Sequence, residues 1–170
     1  MSSNEEEKIK YCIDSSALIN IYRQHPADIY PKIWPNIEKL IQEERLISPL
    51  EVHDELVRYE DGLVDWVKDN KHMFIDVDDI QQDIMIDILK DHPGFASPDK
   101  EPPYADPWVI ALAIRENREY TNGKSKFSCA VVTDESFKTN TYRIPNICSF
   151  YKIRYFNRFD FFRQEKWKFE

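Results

Sequence analysis

Glycine is nearly missing from this chain, with three residues in 170. So few positions of easy left-handed backbone exclude a turn-rich all-β protein and a glycine-rich phosphate loop. Cysteine is equally scarce. Cys12, Cys129 and Cys148 are odd in number, far apart and without a CxxC pair, which argues against a zinc knuckle. Each lies among apolar neighbours and reads as a reduced core thiol, as in a cytosolic protein. No apolar run approaches the ~20 residues that span a bilayer, so no membrane association is expected. The opening MSSNEEEKIK has neither the basic start nor the apolar stretch of a secretion signal, and the expected location is cytoplasmic. Basic residues are also in deficit: 31 Asp and Glu face 23 Lys and Arg, for a net charge of -8. That balance does not favour a nucleic-acid partner, whose phosphates need local positive charge.

What is present fits one compact domain over residues 1–170, of which 42% are hydrophobic. Residues 1–9 read as a frayed lead-in. Lys10 to Asp14 is a short apolar run ending in an acid, hence a buried strand, and Ser15 to Arg23 reads as a helix. A helix over 31–44 follows from Ile33, Ile37, Leu40 and Ile41 on one face. Residues 45–47 form a strand candidate. Ser48-Pro49 then looks like a helix start, with Ser48 at the N-cap, Pro49 at the first position and Glu51 completing a capping box. Val52, Leu56 and Tyr59 would form that helix's apolar stripe. Residues 63–69 suit another short helix, and Phe74 to Val77 a strand. Asp78 to Asp91 is amphipathic, with Ile80, Ile84, Ile88 and Leu89 inward. Its row Asp79, Asp83, Asp87, Asp91 reads as a solvated face rather than a metal site.

Residues 92–105 are a proline-rich loop leading to a second sharp helix start, Asp106-Pro107. Cys129 to Thr133 is a second buried strand, ending at Asp134-Glu135. A short helix within 144–153, a strand at 154–157 and an aromatic helix complete the chain. Strands alternating with helices imply a three-layer α/β/α fold with a mostly parallel sheet of about five strands. In such folds a ligand crevice lies at the carboxyl ends of the strands.

Asp14 and Asp134 both come just after a buried strand, so both carboxylates belong at that edge. Asp106 opens a helix that begins there, and Glu55 borders the apolar stripe of the helix after the second strand. Four segments can thus bring acids to one place. Two unit charges 4 Å apart cost about 4 kcal/mol at an effective dielectric near 20, so such a cluster calls for a cation. Oxygen-only ligands select Mg²⁺ or Mn²⁺, and a metal of that kind activates water for hydrolysis of a phosphodiester.

IDSSALI (13–19), SPLEVHDEL (48–56), ADPWVIALA (105–113) and VVTDESF (131–137) resemble, in order, the four motifs of PIN-domain nucleases, the group that includes VapC-like toxins. The likeness spans about residues 10–137. It implies a Mg²⁺- or Mn²⁺-dependent endoribonuclease acting on RNA. Asp14 would be the first-strand acid, Glu55 the helix glutamate and Asp106 the acid of the later helix. The family usually has a residue between the threonine and the fourth acid; here Asp134 follows Thr133 directly and Glu135 comes next, so both stay candidates. Ser15, Ser16 and Thr133 match hydroxyl positions that support metal or phosphate. The same resemblance implies a toxin inhibited by a small antitoxin protein, and a homodimer.

Plainer readings stand beside this one. Asp106 can be an N-cap alone, Glu51 belongs to the capping box, and His25, His53, His72 and His92 show no paired ligand spacing. The segment 150–170 carries six basic residues against three acids, interleaved with nine aromatics. Stacking beside cations suits single-stranded RNA, but packing of the last strand and helix explains the aromatics better. As a whole, the rival to an enzyme is a catalytically degenerate PIN-fold module that binds RNA or protein. A haloacid-dehalogenase-like phosphatase would need an aspartate at Ser16, and a receiver domain a second acid beside Asp14.

Overall fold

The two long apolar runs form the centre of the sheet, because a strand covered on both faces must be apolar on both. The computed structural model describes residues 7–58, 62–95 and 105–169. Residues 1–6 of the lead-in, Tyr59 and residues 96–104 of the proline-rich stretch lie outside the described residues. Strand β1 (Ile9–Ile13) pairs in parallel with β4 (Ser128–Val132) along its whole length, from Ile9 opposite Ser128 to Ile13 opposite Val132. On its other side β1 pairs with β2 (Leu46–Pro49), Tyr11 opposite Leu46. Two short strands, β3 (Phe74–Ile75) and β5 (Tyr155–Phe156), flank these in the order β3-β2-β1-β4-β5, all parallel.

Eight α-helices connect and cover this sheet among the described residues: α1 (Ser15–Gln24), α2 (Ile33–Gln42), α3 (Leu50–Val57), α4 (Leu63–Asp69), α5 (Asp79–Asp91), α6 (Asp106–Thr121), α7 (Ile144–Phe150) and α8 (Arg158–Gln164). The chain steps outward through β1, β2 and β3, then returns across the sheet to β4 and β5. Right-handed crossovers therefore place α1–α4 on one face and α5–α7 on the other. Neighbouring side chains on β1 agree: the Cys12 thiol meets the Val109 carbonyl of α6, while the Tyr11 ring meets Phe161 of α8, centroids 4.7 Å apart. The result is a three-layer α/β/α fold. All three cysteines are buried and unbridged. No described helix is long and apolar enough to cross a membrane.

Three local expectations need correction. Ser48 and Pro49 do not start a helix; they finish β2, opposite Phe74 and Ile75. The Ser48 hydroxyl donates to the Ile13 carbonyl at 2.6 Å, so the edge of the sheet takes the group that a cap would have used. Helix α3 starts at Leu50 with Pro49 at its cap and no side-chain cap bond, and no capping box forms. Burial instead raises the Glu51 carboxyl above its ordinary value. Asp106 lies in the first turn of α6 rather than at its cap, which is Ala105. In α5, Asp78 caps the helix by accepting from the Gln81 N–H at 2.8 Å and is held by Arg115 of α6 at 2.6 Å. That clamp turns Gln81, with Ile84 and Ile88, toward the core and leaves Ile80 49% exposed. The row Asp79, Asp83, Asp87, Asp91 faces water, as expected.

The aromatics of the last segment serve mainly in packing. Phe161 and Phe162 are buried, and Trp167 closes on Phe161 at 5.2 Å between ring centroids.

Candidate functional site

Strand register brings the first two groups of the site together. One residue beyond the Ile13–Val132 pair, Asp14 and Thr133 stand side by side on adjacent parallel strands, and the Asp14 N–H donates to the Val132 carbonyl at 3.0 Å. The Thr133 hydroxyl donates to Asp14 Oδ2 at 2.7 Å. Asp14 is also the N-cap of α1: its Oδ1 accepts from the Ala17 N–H at 3.0 Å and from the Ser16 hydroxyl at 2.8 Å. Both hydroxyls work twice, because Ser16 accepts from the Asp134 N–H and Thr133 from the Glu135 N–H, each at 3.1 Å. Ser16 and Thr133 thereby shape the turn that carries the two candidate fourth acids.

Glu55 ties in the other two segments. Its Oε2 accepts from the Ser15 hydroxyl at 2.6 Å, and its Oε1 from the Ala105 N–H at 3.3 Å, one residue before Asp106. The carboxylate is thus drawn to the sheet edge despite its position on an exposed-looking helix. The half-buried Asp106 follows in the first turn of α6, where the helix dipole favours an anion. Asp14 profits from the same effect at the start of α1. All four motif segments are joined by hydrogen bonds at the carboxyl end of the central strands.

The adjacent acids Asp134 and Glu135 have different surroundings. Asp134 Oδ1 accepts from the Arg158 N–H at 3.0 Å; its Oδ2 accepts from Arg158 Nη1 at 2.6 Å and from Asn20 Nδ2 at 2.8 Å. With side chains only 6% and 12% exposed, Asp134 and Arg158 form a buried, neutralised pair. Arg158 further donates to Gln24 and to His25 Nε2 and lies over the Phe159 ring at 4.3 Å. Glu135 receives the Ile144 N–H on Oε2 at 2.9 Å, and no cation pairs with it among the described residues. Its charge acts on Asp14 and helps to raise that carboxyl.

Asp14 is the anomaly of the site. It is 3% exposed, and among the described residues no lysine, arginine or histidine pairs with it. Burial pushes its carboxyl up to about 7, against the lowering effect of the Thr133, Ala17 and Ser16 bonds. A carboxylate has about four acceptor positions, and three are used here. Among the described residues no group of three His, Cys, Asp or Glu side chains is arranged around one point as metal ligands.

A family model described as a domain of unknown function (DUF4411) matches residues 11–169, nearly the whole chain. The chain belongs to the DUF4411 family. No curated protein matches it. The DUF4411 match takes in every residue of the site and also Arg158, whose role sequence reasoning missed. Arg158 appears in the sequence only as one of several cations among aromatics. Its bond to Asp134, 24 positions away, follows from the pairing of β4 with β5.

Proposed function

We propose that this protein is a Mg²⁺- or Mn²⁺-dependent endoribonuclease whose acids are Asp14, Glu55, Asp106 and Glu135. The observation that carries the reading is Asp14: a buried carboxylate at the carboxyl end of a parallel sheet, held by three donors, beside a second acid and with no side-chain cation paired to it among the described residues. Burying an ionised carboxylate is unfavourable unless something positive meets it. The all-oxygen donor set fits a hard divalent ion. Asp14 has one acceptor position left among the described residues, and Glu135 and Glu55 have more. These residues, with Asp106, would hold the ion. Asp134 is set aside as a ligand because Arg158 already balances its charge.

A divalent ion bound there supplies a water of lowered pKa and a positive charge for the phosphate. The chain's own groups fix Asp14 in one orientation through Thr133, Ser16 and the Ala17 N–H. Ser15 holds Glu55 near Asp106, and the N-termini of α1 and α6 favour the gathered acids. The likeness of the four motifs to PIN-domain nucleases supports RNA as substrate, and the three unbridged buried thiols suit a cytoplasmic location. Its VapC-like branch supports a small antitoxin as inhibitor and a homodimer as the assembly.

Cleavage of a labelled single-stranded RNA, measured with Mg²⁺, Mn²⁺ or EDTA, tests the proposal. Wild type should cut only with a metal, and Asp14→Asn and Asp106→Asn should lose most activity. Equal cleavage by all three proteins would defeat it. A second reading is favoured by the shifted fourth acid, since Asp134 follows Thr133 directly and is paired with Arg158: a degenerate module that binds RNA or protein without cutting. Calorimetric titration with Mn²⁺ separates the two, since the degenerate module takes up no saturating metal.

A further inference from the structure

At the opposite end of the sheet, a cleft of about 720 Å³ opens between the last turns of α6, the amino ends of β4 and β5, and the turn after α7. We propose that this cleft binds a nucleotide, with its phosphate held by Arg118, Lys152 and Arg154 and its base laid against Tyr120. The inference is independent of the nuclease reading, because none of these residues belongs to the acidic site.

The charges of the lining carry the argument. Most cations in the packed regions of this acidic chain are already paired: Lys10 with Glu116, Arg45 with Glu165, Arg115 with Asp78, Arg158 with Asp134. Arg118 and Lys152 are exposed, line one cleft together and have no ion pair or side-chain hydrogen bond among the described residues, so their charges are available to a ligand. Arg154 has only a loose contact with Glu7, 3.8 Å apart, with both side chains more than half exposed. Three side-chain cations on the lining of one cleft, in a chain of net charge -8, offer local positive charge to an anion.

The rest of the lining suits a flat organic group. Ile114 and Ile153 give an apolar floor. That floor is fixed, because the Asn117 amide grips both backbone groups of Cys129, at 2.8 and 3.0 Å. Tyr120 lines the cleft and is 43% exposed, an aromatic side chain of the kind on which a base stacks. The volume is within the roughly 300–1,000 Å³ of small-molecule sites. The dipole of α6 opposes an anion at its C-terminus, but the Arg118, Glu119 and Tyr120 carbonyls already accept N–H bonds from the following turn. Three side-chain cations outweigh what remains.

The shared chemistry, a phosphate next to a base, describes both a free mononucleotide and the end of an RNA strand. A second cleft of about 440 Å³ shares Glu7 with the first and is lined also by Lys8, which would face the continuation of a strand.

Isothermal titration calorimetry at low salt and in EDTA tests this, with AMP, inorganic phosphate and a 5′-phosphorylated hexa-adenylate as probes. EDTA removes any route through a metal at the acidic end. AMP should bind saturably and more tightly than inorganic phosphate. The double variant Arg118→Ala/Lys152→Gly should weaken it about tenfold or more, the loss of two charge-assisted contacts. Lys152 has φ 58°, which glycine adopts without strain, so the variant should keep the wild-type melting temperature. Glu7→Gln should tighten binding by freeing Arg154, and Asp14→Asn should leave it unchanged. Tighter binding of hexa-adenylate than of AMP, lost in the same double variant, assigns the cleft to a strand end; equal affinity assigns it to free nucleotide. No saturable binding of either probe, unchanged affinity in the double variant, or phosphate binding as tight as AMP overturns the proposal.

Discussion

Replacing Asp14 by Asn should stabilise the metal-free protein at pH 8 and destabilise it at pH 4. The folded carboxyl is pushed from 3.8 up to about 7, and the group is 3% exposed, so solvent screening hardly reduces the effect. At about 1.36 kcal/mol for each pH unit, keeping Asp14 ionised inside the fold costs about 4 kcal/mol. Between these two values the native state holds a proton that the unfolded chain has released. Stability therefore falls as pH rises through that window, the reverse of a salt-bridged aspartate. The Asn side chain removes the charge but replaces one acceptor oxygen with an amide NH2, which only donates, and this loses about 1 kcal/mol of hydrogen bonding. The net gain near pH 8 is about 3 kcal/mol, or roughly 6–12 °C in melting temperature for a chain of this size. Differential scanning calorimetry in EDTA, from pH 4 to 8, measures it. Adding Mn²⁺ should raise the wild type by about 2.7 kcal/mol at a hundredfold excess over Kd, and the variant much less. If Asp14→Asn melts below wild type at pH 8 in EDTA, the carboxylate is not an uncompensated charge, and the reason for placing a cation beside it disappears.

Three further outcomes follow from the packing. Arg158→Ala leaves the Asp134 carboxylate buried without its partner and should lower stability by about 3–5 kcal/mol in denaturant titration, whereas the double change with Asp134→Asn should recover much of the loss. Gln81 is fully buried and neither amide atom has a partner among the described residues; Gln81→Leu should therefore gain about 1–3 kcal/mol and raise the melting temperature, and a lower one would mean that the amide is satisfied in solution. Burial raises the thiols of Cys12, Cys129 and Cys148, so a maleimide should label none of them at pH 8 until denaturant is added, which mass spectrometry can count.

How far the sequence reveals this structure depends on how local each determinant is. The two central strands and the α1, α2 and α5 helices are legible because apolar spacing alone marks them. The approach of Asp14 to Thr133 is nearly legible, since each is the first polar residue after a buried strand, and parallel pairing without slippage aligns them. The misreadings share a cause. Ser48-Pro49 has good capping chemistry, but β3 and the Ile13 carbonyl claim the same groups, and that competition is tertiary. Ile80 and Gln81 exchange places because Arg115, 37 positions away, fixes the cap of α5. The difference between Asp134 and Glu135 is likewise invisible along the chain; it is set by Arg158 from the far side of β5.

Net charge was the sequence-level objection to a nucleic-acid role, and it is the wrong quantity for that question. A phosphate responds to charges within about a Debye length, roughly 10 Å at moderate salt, not to a sum over 170 residues. Part of the excess acid lies on the water-facing row of α5, and part is gathered at the carboxyl end of the sheet, where a divalent ion would reverse its effect. Arg118 and Lys152, without an ion pair among the described residues, lie at the amino end, one strand length from Asp14. Five residues of β4 at about 3.3 Å each give a separation near 16 Å, more than a Debye length, so the acids at one end repel an anion at the other only weakly. A sheet that sorts its charges end from end can therefore hold an acid cluster and an anion site in one small domain, and a chain with a total of -8 can still present a positive face to a phosphate.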